Sequence, residues 1–400
     1  MSEEMIREAL LKITNNSNSK TSTILEILKN KSDDFKKALL KVINAENNES
    51  FFKEDHFLES VSEKDFFNYI NSKEVSEILG IIFPPLNLEG VQNNLISKDI
   101  TPNAIFESLD KDGYYQFPEK VDINIIEEIK EGLRSCSFIK NPPTHQLYKI
   151  NSSNDLRKID SNTLWVYENQ KVLEIPAVQK ILIDNNMLTA IEKYLGCQPI
   201  HVSCTTWWSK FNKLDETSLN YGAQLYHQDK EFIKFVKIFV YLSDVDDTTG
   251  PHEYIAGSNK DYEDHIPPNY KVSQRLSDEY LNHTYPKDRF KSFTGKAGTV
   301  IITDSNGFHK GKPLLSGHRQ LLQFEFASSL YFNCLPSFSE STLTGNYKEF
   351  LLKNERFAQN YNSKKYLLDL KIKRKNRIKY FFDFTKRELK EIAKKVLNKS

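Results

Sequence analysis

Between residues 199 and 335 the chain carries a series of short segments rich in β-branched and aromatic residues. They are PIHVSCTTWWSKF, AQLYHQD, FVKIFVYLSDV, AGTVIITDS and RQLLQFEFASSLYF, parted by Gly, Pro and Asp breaks. Segments of that length and composition read as strands. Several in succession bury their faces against one another, which points to a β-sandwich or barrel.

The flanks have a different period. In TSTILEILKN and SDDFKKALLKVINA the apolar residues recur at helical spacing, with Ser32 as an N-cap ahead of Phe35, Leu39 and Val42. NSKEVSEILGIIF offers Asn71 as a cap with Glu74 three residues on, and that helix must stop before Pro84-Pro85. Thr101-Pro102 opens the next helix, and Asp112-Gly113 turns the chain into YYQFP. DINIIEEIKEGLRS and NNMLTAIEKYLG are further amphipathic helices. Past about residue 340 the chain becomes basic and helical, with KIKRKNRIKYFF and a capping box at Thr385 and Glu388. The expected organisation is a helical region over 1–97, a β-rich domain over 98–338 and a basic helical extension over 339–400. The class is α+β.

Charge narrows the partners. Lys and Arg total 55 against 54 Asp and Glu, so net charge gives no nucleic-acid signature. The basic C-terminal tail is read first as a solvated helix face, with contact to an anionic partner or surface as the alternative. None of the four cysteines forms a CxxC pair, which argues against a structural zinc site or a disulfide framework. The start, MSEEMIREALLKI, has no long apolar stretch, and no run approaches the roughly 18–20 residues that span a bilayer. A cytoplasmic protein is the expectation.

Within AQLYHQD, His227 and Asp229 are two residues apart. In a strand, residues i and i+2 point to one side, so both can face a barrel interior while Gln228 points away. Two imidazoles and one carboxylate on one face of an octahedron, with the other face open, suit a non-haem Fe(II) site. The HxD spacing alone is weak, because chance supplies it often. Downstream, GTVIITDSNGFHKGKPLLSGHRQLLQFEF reads as strand, turn and strand, with His309 at the mouth and Arg319 ten residues on. A guanidinium there can hold a carboxylate through two parallel hydrogen bonds.

Together these segments resemble the phytanoyl-CoA dioxygenase family of Fe(II)/2-oxoglutarate-dependent oxygenases. YHQDKEFIKFVKIFVYLSDVDDTTGPHEYIAGSNK resembles its HxD strand, the strand that follows and its GP…GSH turn. GFHKGKPLLSGHR resembles the distal histidine and the co-substrate arginine, and ITPNAIFESLDKDGYYQFP the opening helix and strand. The resemblance covers roughly residues 100–335. It implies a double-stranded β-helix (jelly-roll, cupin-like) core with flanking helices and a dioxygenase that uses Fe(II), 2-oxoglutarate and O2. His227, Asp229 and His309 would be the iron ligands, and Arg319 the anchor for the far carboxylate of 2-oxoglutarate. Asn259 and Ala256 replace the usual His and Pro of the turn. Gly311 stands where relatives often carry Ser, so that role must be met elsewhere, with Lys310 or Lys312 able to supply charge. Asp229 in place of Gly or Ala argues against a halogenase.

Other residues are weaker signals. Trp207 and Ser209 share one strand face, Trp208 and Lys210 the other; the pair Trp207 and Ser209 is taken as lining the co-substrate pocket. Core packing is an equally good reading of either tryptophan. His252 follows Gly250-Pro251 and is read as shaping a loop rather than binding metal. His318 should point away from Arg319. Gln228 is read as bonding to a neighbouring strand. The function expected is hydroxylation of a small-molecule metabolite with release of succinate and CO2. The same chemistry on a macromolecule, or a catalytically silent cupin-like binding protein, are the alternatives.

Overall fold

The computed structural model of the chain describes residues 3–46, 72–91, 95–96, 99–141, 148–149, 164–211, 223–229, 231–268, 270, 274–331, 338–343 and 345–361. Asn71 and the cationic cluster with the Thr385 capping box lie outside them. No helix among the described residues is long and apolar enough to cross a membrane.

The strands are β1 (Tyr114–Gln116), β2 (Ser137–Asn141), β3 (Tyr148–Lys149), β4 (Leu164–Tyr167), β5 (Ile200–Lys210), β6 (Phe235–Tyr241), β7 (His252–Ile255), β8 (Phe290–Phe293), β9 (Val300–Thr303), β10 (His309–Gly311) and β11 (His318–Ala327). Eight form one antiparallel sheet in the order β1-β9-β6-β11-β5-β4-β2-β3, and three form a smaller one, β10-β7-β8. The chain is thus a mixed helix-and-sheet protein built on antiparallel sheets.

Alternation along the central strands sorts the large sheet into two unlike faces. Val236, Ile238 and Val240 of β6, Leu322, Phe324 and Phe326 of β11 and Cys204 of β5 join the core shared with the helices. The residues between them, Phe239, Tyr241, Leu321 and Trp207, pack instead with Tyr254 and Phe293 of the small sheet.

The helices start where the sequence predicts. Ser32 Oγ accepts from Phe35 N (3.2 Å), and Thr101, followed by Pro102, accepts from Ala104 N (3.3 Å). Gly113 ends the helix Pro102–Asp112 at φ 79°, a left-handed turn that suits glycine. The N-terminal helices Glu3–Ile13, Asn18–Leu28, Asp33–Glu46 and Ser72–Ile82 bury Leu10, Ile24, Val42 and Ile78 in the same core that backs the sheet. Leu86 N donates to Glu192 (2.7 Å) and Ile96 N to Asp184 (3.0 Å), and a buried ion pair joins Glu46 to Arg356 (2.6 Å).

Candidate metal centre

His227 and Asp229 lie just outside the regular strands, in an extended segment bound to β10. His227 and His309 exchange both backbone hydrogen bonds (3.0 Å each), and Asp229 N donates to Ser305 O (2.8 Å). This pairing sets the two imidazole rings side by side, their centroids 4.4 Å apart. One ligand-type atom from each of His227, Asp229 and His309 lies within 4.8 Å of the others. Gln228 points the other way, donating to Asn306 O and accepting from Tyr270 (3.2 Å), as strand alternation requires.

The hydrogen bonds around the rings set their chemistry. His227 Nδ1 lies 2.8 Å from Leu225 O and His309 Nδ1 2.9 Å from Gly307 O. A carbonyl only accepts, so each Nδ1 donates, and in the neutral ring Nε2 then carries a lone pair. The Nε2 atoms face the carboxylate: His309 Nε2 is 3.2 Å from one Asp229 oxygen and His227 Nε2 3.6 Å from the other. Burial, with His309 beside it, lowers the pKa of His227 to about 3, so this ring is neutral. Burial alone would raise the pKa of Asp229, but the Lys237 ammonium beside it holds it well below the usual carboxylate range. Lone pairs and an anion that converge in this way fit a bound cation.

Lys237 was not among the residues singled out by sequence. It lies on the inner face of β6, buried, with Nζ 2.7 Å from Asp229, 3.4 Å from Glu231 and 3.7 Å from Glu325. Burial disfavours its charge, yet these carboxylates keep its pKa well above the ordinary value. Burial drives Glu325 the other way, well above the carboxylate range. One charged residue in the otherwise apolar FVKIFVY was the available signal.

Arg319 is buried on the inner face of β11, opposite Ser209 of β5. One guanidinium nitrogen donates to Gly250 O, while Arg319 Nε and Ser209 Oγ have no hydrogen-bond partner. No carboxylate pairs with this guanidinium among the described residues. Trp207 shares the inner face, packed with Tyr241, Phe293 and Leu321. Trp208 lies on the outer face and donates to Tyr167 (3.0 Å); His318 packs against it at a tilt (ring centroids 4.9 Å), away from Arg319.

Two expectations need correction. His252 does not shape a loop. It is the first residue of β7, buried, its ring 4.5 Å from Phe239 and 5.6 Å from His309. The Gly250-Pro251 turn precedes it, and the chain is already extended by residue 252. Lys310 and Lys312 do not serve the interior either. Lys310 pairs with Asp278 (2.6 Å) and Glu253 (3.4 Å), and Lys312 with Glu253 (3.6 Å), because alternation from His309 turns Lys310 outward. Behind the small sheet, on that outward side, lies a cavity of about 200 Å³ lined by Tyr226, Glu253, Asp278 and Lys287.

The phytanoyl-CoA dioxygenase family model matches residues 109–321, more than half of the chain. The chain belongs to the phytanoyl-CoA dioxygenase family. It is accordingly an oxidoreductase that works with Fe(II) and 2-oxoglutarate. Among solved structures it is similar to AviO1 from Streptomyces viridochromogenes, at 14% identity over 59% of this chain and 98% of that one (TM-score 0.37). It is also similar to HygX from Streptomyces hygroscopicus with nickel, 2-oxoglutarate and hygromycin B bound, at 14% identity over 56% and 86% (TM-score 0.39). A third is EctD from S. alaskensis with bound Fe, at 14% identity over 61% and 83% (TM-score 0.39). No curated protein matches the chain.

Proposed function

We propose that this member of the family hydroxylates a small molecule, with residues 98–338 as the catalytic unit and the two antiparallel sheets as the walls of a double-stranded β-helix. His227, Asp229 and His309 hold Fe(II). Arg319 binds the far carboxylate of 2-oxoglutarate, with Ser209 and Trp207 lining the same pocket. The observation that carries this reading is the convergence of two Nε2 lone pairs and a carboxylate within 4.8 Å, with a buried guanidinium on the facing sheet that pairs with no carboxylate among the described residues.

When bound, the iron supplies O2 activation coupled to decarboxylation of 2-oxoglutarate to succinate. The protein does the rest. The carbonyls of Leu225 and Gly307 fix the tautomers of the two imidazoles. Lys237 holds one oxygen of Asp229, which biases the carboxylate toward binding metal through the other. Arg319 orients the co-substrate chain, and Phe239, Tyr241 and Trp207 keep its surroundings apolar. On the open side of the inner face, Thr205 and Gln323 sit opposite each other and are partly solvent-accessible, while Leu322 and Phe324 beside Gln323 are fully buried. A polar wall that solvent reaches supports a small, hydrogen-bonding substrate.

Anaerobic addition of Fe(II) and 2-oxoglutarate should give the weak visible charge-transfer band of a chelated 2-oxo acid, and O2 should then yield succinate. His227→Ala and Asp229→Ala should lose both signals by about a thousandfold in turnover, or ~4 kcal/mol of transition-state stabilisation. Wild-type turnover in either variant would sink the ligand assignment.

A further inference from the structure

Three buried polar atoms at one end of the interior lack a hydrogen-bond partner: Arg319 Nε, Ser209 Oγ and His252 Nε2. Buried polar groups are seldom left so, and each such case needs a physical reason. Arg319 and Ser209 already have one in the reading above. His252 does not, and its position is informative.

His252 lies directly across from Gly311 in the β7–β10 pair, as Tyr254 does from His309. It therefore stands two residues further along the small sheet than the metal-side histidine, a step of roughly 7 Å. That step leads toward Arg319. The guanidinium bonds Gly250 O, two residues before His252, and a Cβ on Gly311 would lie 2.9 Å from Arg319 Nη2. A side chain at position 311 would press on the guanidinium, so glycine leaves that space to Arg319, and the His252 imidazole stands across the strand pair from it. His252 N donates to Tyr241 Oη (3.1 Å), and Tyr241 Oη donates to Phe293 O (2.7 Å). The ring is held between Phe239 and Phe293, at centroid distances of 4.5 and 6.0 Å. It is a fixed group in an apolar slot with one free nitrogen.

We propose that His252 is a co-substrate-binding residue, its Nε2 donating a hydrogen bond to the distal carboxylate of 2-oxoglutarate beside the Arg319 guanidinium. This inference rests on the reading of Arg319 given above. Burial, with His309 and Arg319 nearby, keeps the ring neutral, so it contributes a directed hydrogen bond and no charge. Together with Ser209 it takes the role that relatives give to a hydroxyl at position 311.

The test is anaerobic titration of the Fe(II)-loaded full-length protein with 2-oxoglutarate, and in parallel with 2-oxobutyrate, which lacks the distal carboxylate. His252→Leu should raise the 2-oxoglutarate concentration at half-saturation about tenfold or more, the loss expected for one buried hydrogen bond to a charged group. Its 2-oxobutyrate titration and its Fe(II) affinity should stay within about twofold of wild type. His252→Gln, which restores a donor, should recover part of the loss. Equal losses for both oxo acids, or none for either, would overturn the proposal. Should His252→Leu fail to melt cooperatively, His252→Gln against His252→Met decides on the same criterion. A wild-type protein that gives no 2-oxoglutarate-dependent band overturns the reading of the metal centre itself, a separate outcome.

Discussion

The two faces of the large sheet come from the same strands, residue by residue, and carry opposite chemistry. On the outer face His201 is buried, yet its Nε2 donates to Ser203 O (3.0 Å), its Nδ1 accepts from Tyr361, and it stacks on Phe338 at 5.3 Å. Across from the inner face, on β7 of the small sheet, His252 is also buried and its Nε2 has no hydrogen-bond partner. Phe324 on the outer side meets only core; its inner neighbours in sequence are Gln323, partly exposed, and Glu325, buried and ion-paired with Lys237 (3.7 Å). At His201 the outer face satisfies its polar groups within the chain, although Thr206 Oγ1 on that face has no hydrogen-bond partner. The other is completed by what it binds. Stability and activity should therefore separate by face, and three variants test how cleanly.

The largest effect is expected on the outer face. Phe324→Ala removes a fully buried ring from the helix-backed core and should cost about 4 kcal/mol of unfolding free energy, read by denaturant melts. Below the transition, Fe(II) affinity should remain near wild type. A variant that loses metal affinity while keeping its stability would break the division between faces.

Lys237→Met comes next. It removes the cation from a buried network with Asp229, Glu325 and Glu231, leaving the Asp229 carboxylate beside two imidazole lone pairs. Breaking a buried pair from one side should cost the metal-free protein about 3 kcal/mol. Saturating Fe(II) should return part of that loss, because the metal replaces the missing positive charge. Phe324→Ala should show no such selective recovery. An equal deficit with and without Fe(II) would make Lys237 an ordinary core residue.

The same contrast explains what the sequence could reveal. His227, Asp229, His309 and Arg319 could be singled out because the segments that carry them follow an order that resembles a known family, and the structure brings them to one interior. Strand alternation also placed Trp207 and Ser209 together and turned Gln228 and His318 outward, while capping residues ahead of helical apolar spacing anticipated the helix starts at Ser32 and Thr101. Lys237 and Glu325 were not legible: each is one charged residue in an apolar strand, and their partners depend on register between β6 and β11. His252 was hidden by Gly250-Pro251, which reads as a loop although the strand begins at the next residue. Lys310 and Lys312 were credited to the pocket because nearness in sequence says little about side-chain direction. Cross-strand pairing decides that, and it is set by tertiary structure.

The smallest expected effect concerns pH and belongs to the outer face. Burial lowers the pKa of His201 from an ordinary 6.5 to about 3. Below pH 6.5 the unfolded chain gains a proton at this residue that the folded protein does not take up until about pH 3. His201 thus contributes stability that is full above pH 6.5 and is lost as pH falls, by about 1.4 kcal/mol per unit. At pH 5 the loss from this residue is about 2 kcal/mol. His201→Phe keeps the aromatic stack and removes the titration. Its baseline stability should be lower, since Ser203 O and Tyr361 lose a partner, but its unfolding free energy should decline less steeply between pH 6.5 and 5, by the equivalent of one proton. Equal slopes in the two proteins would mean that His201 is protonated inside the folded core. The outer face would then hold a charge, as the inner face does at Lys237, and the contrast between the faces would fail at the residue where it is drawn most sharply.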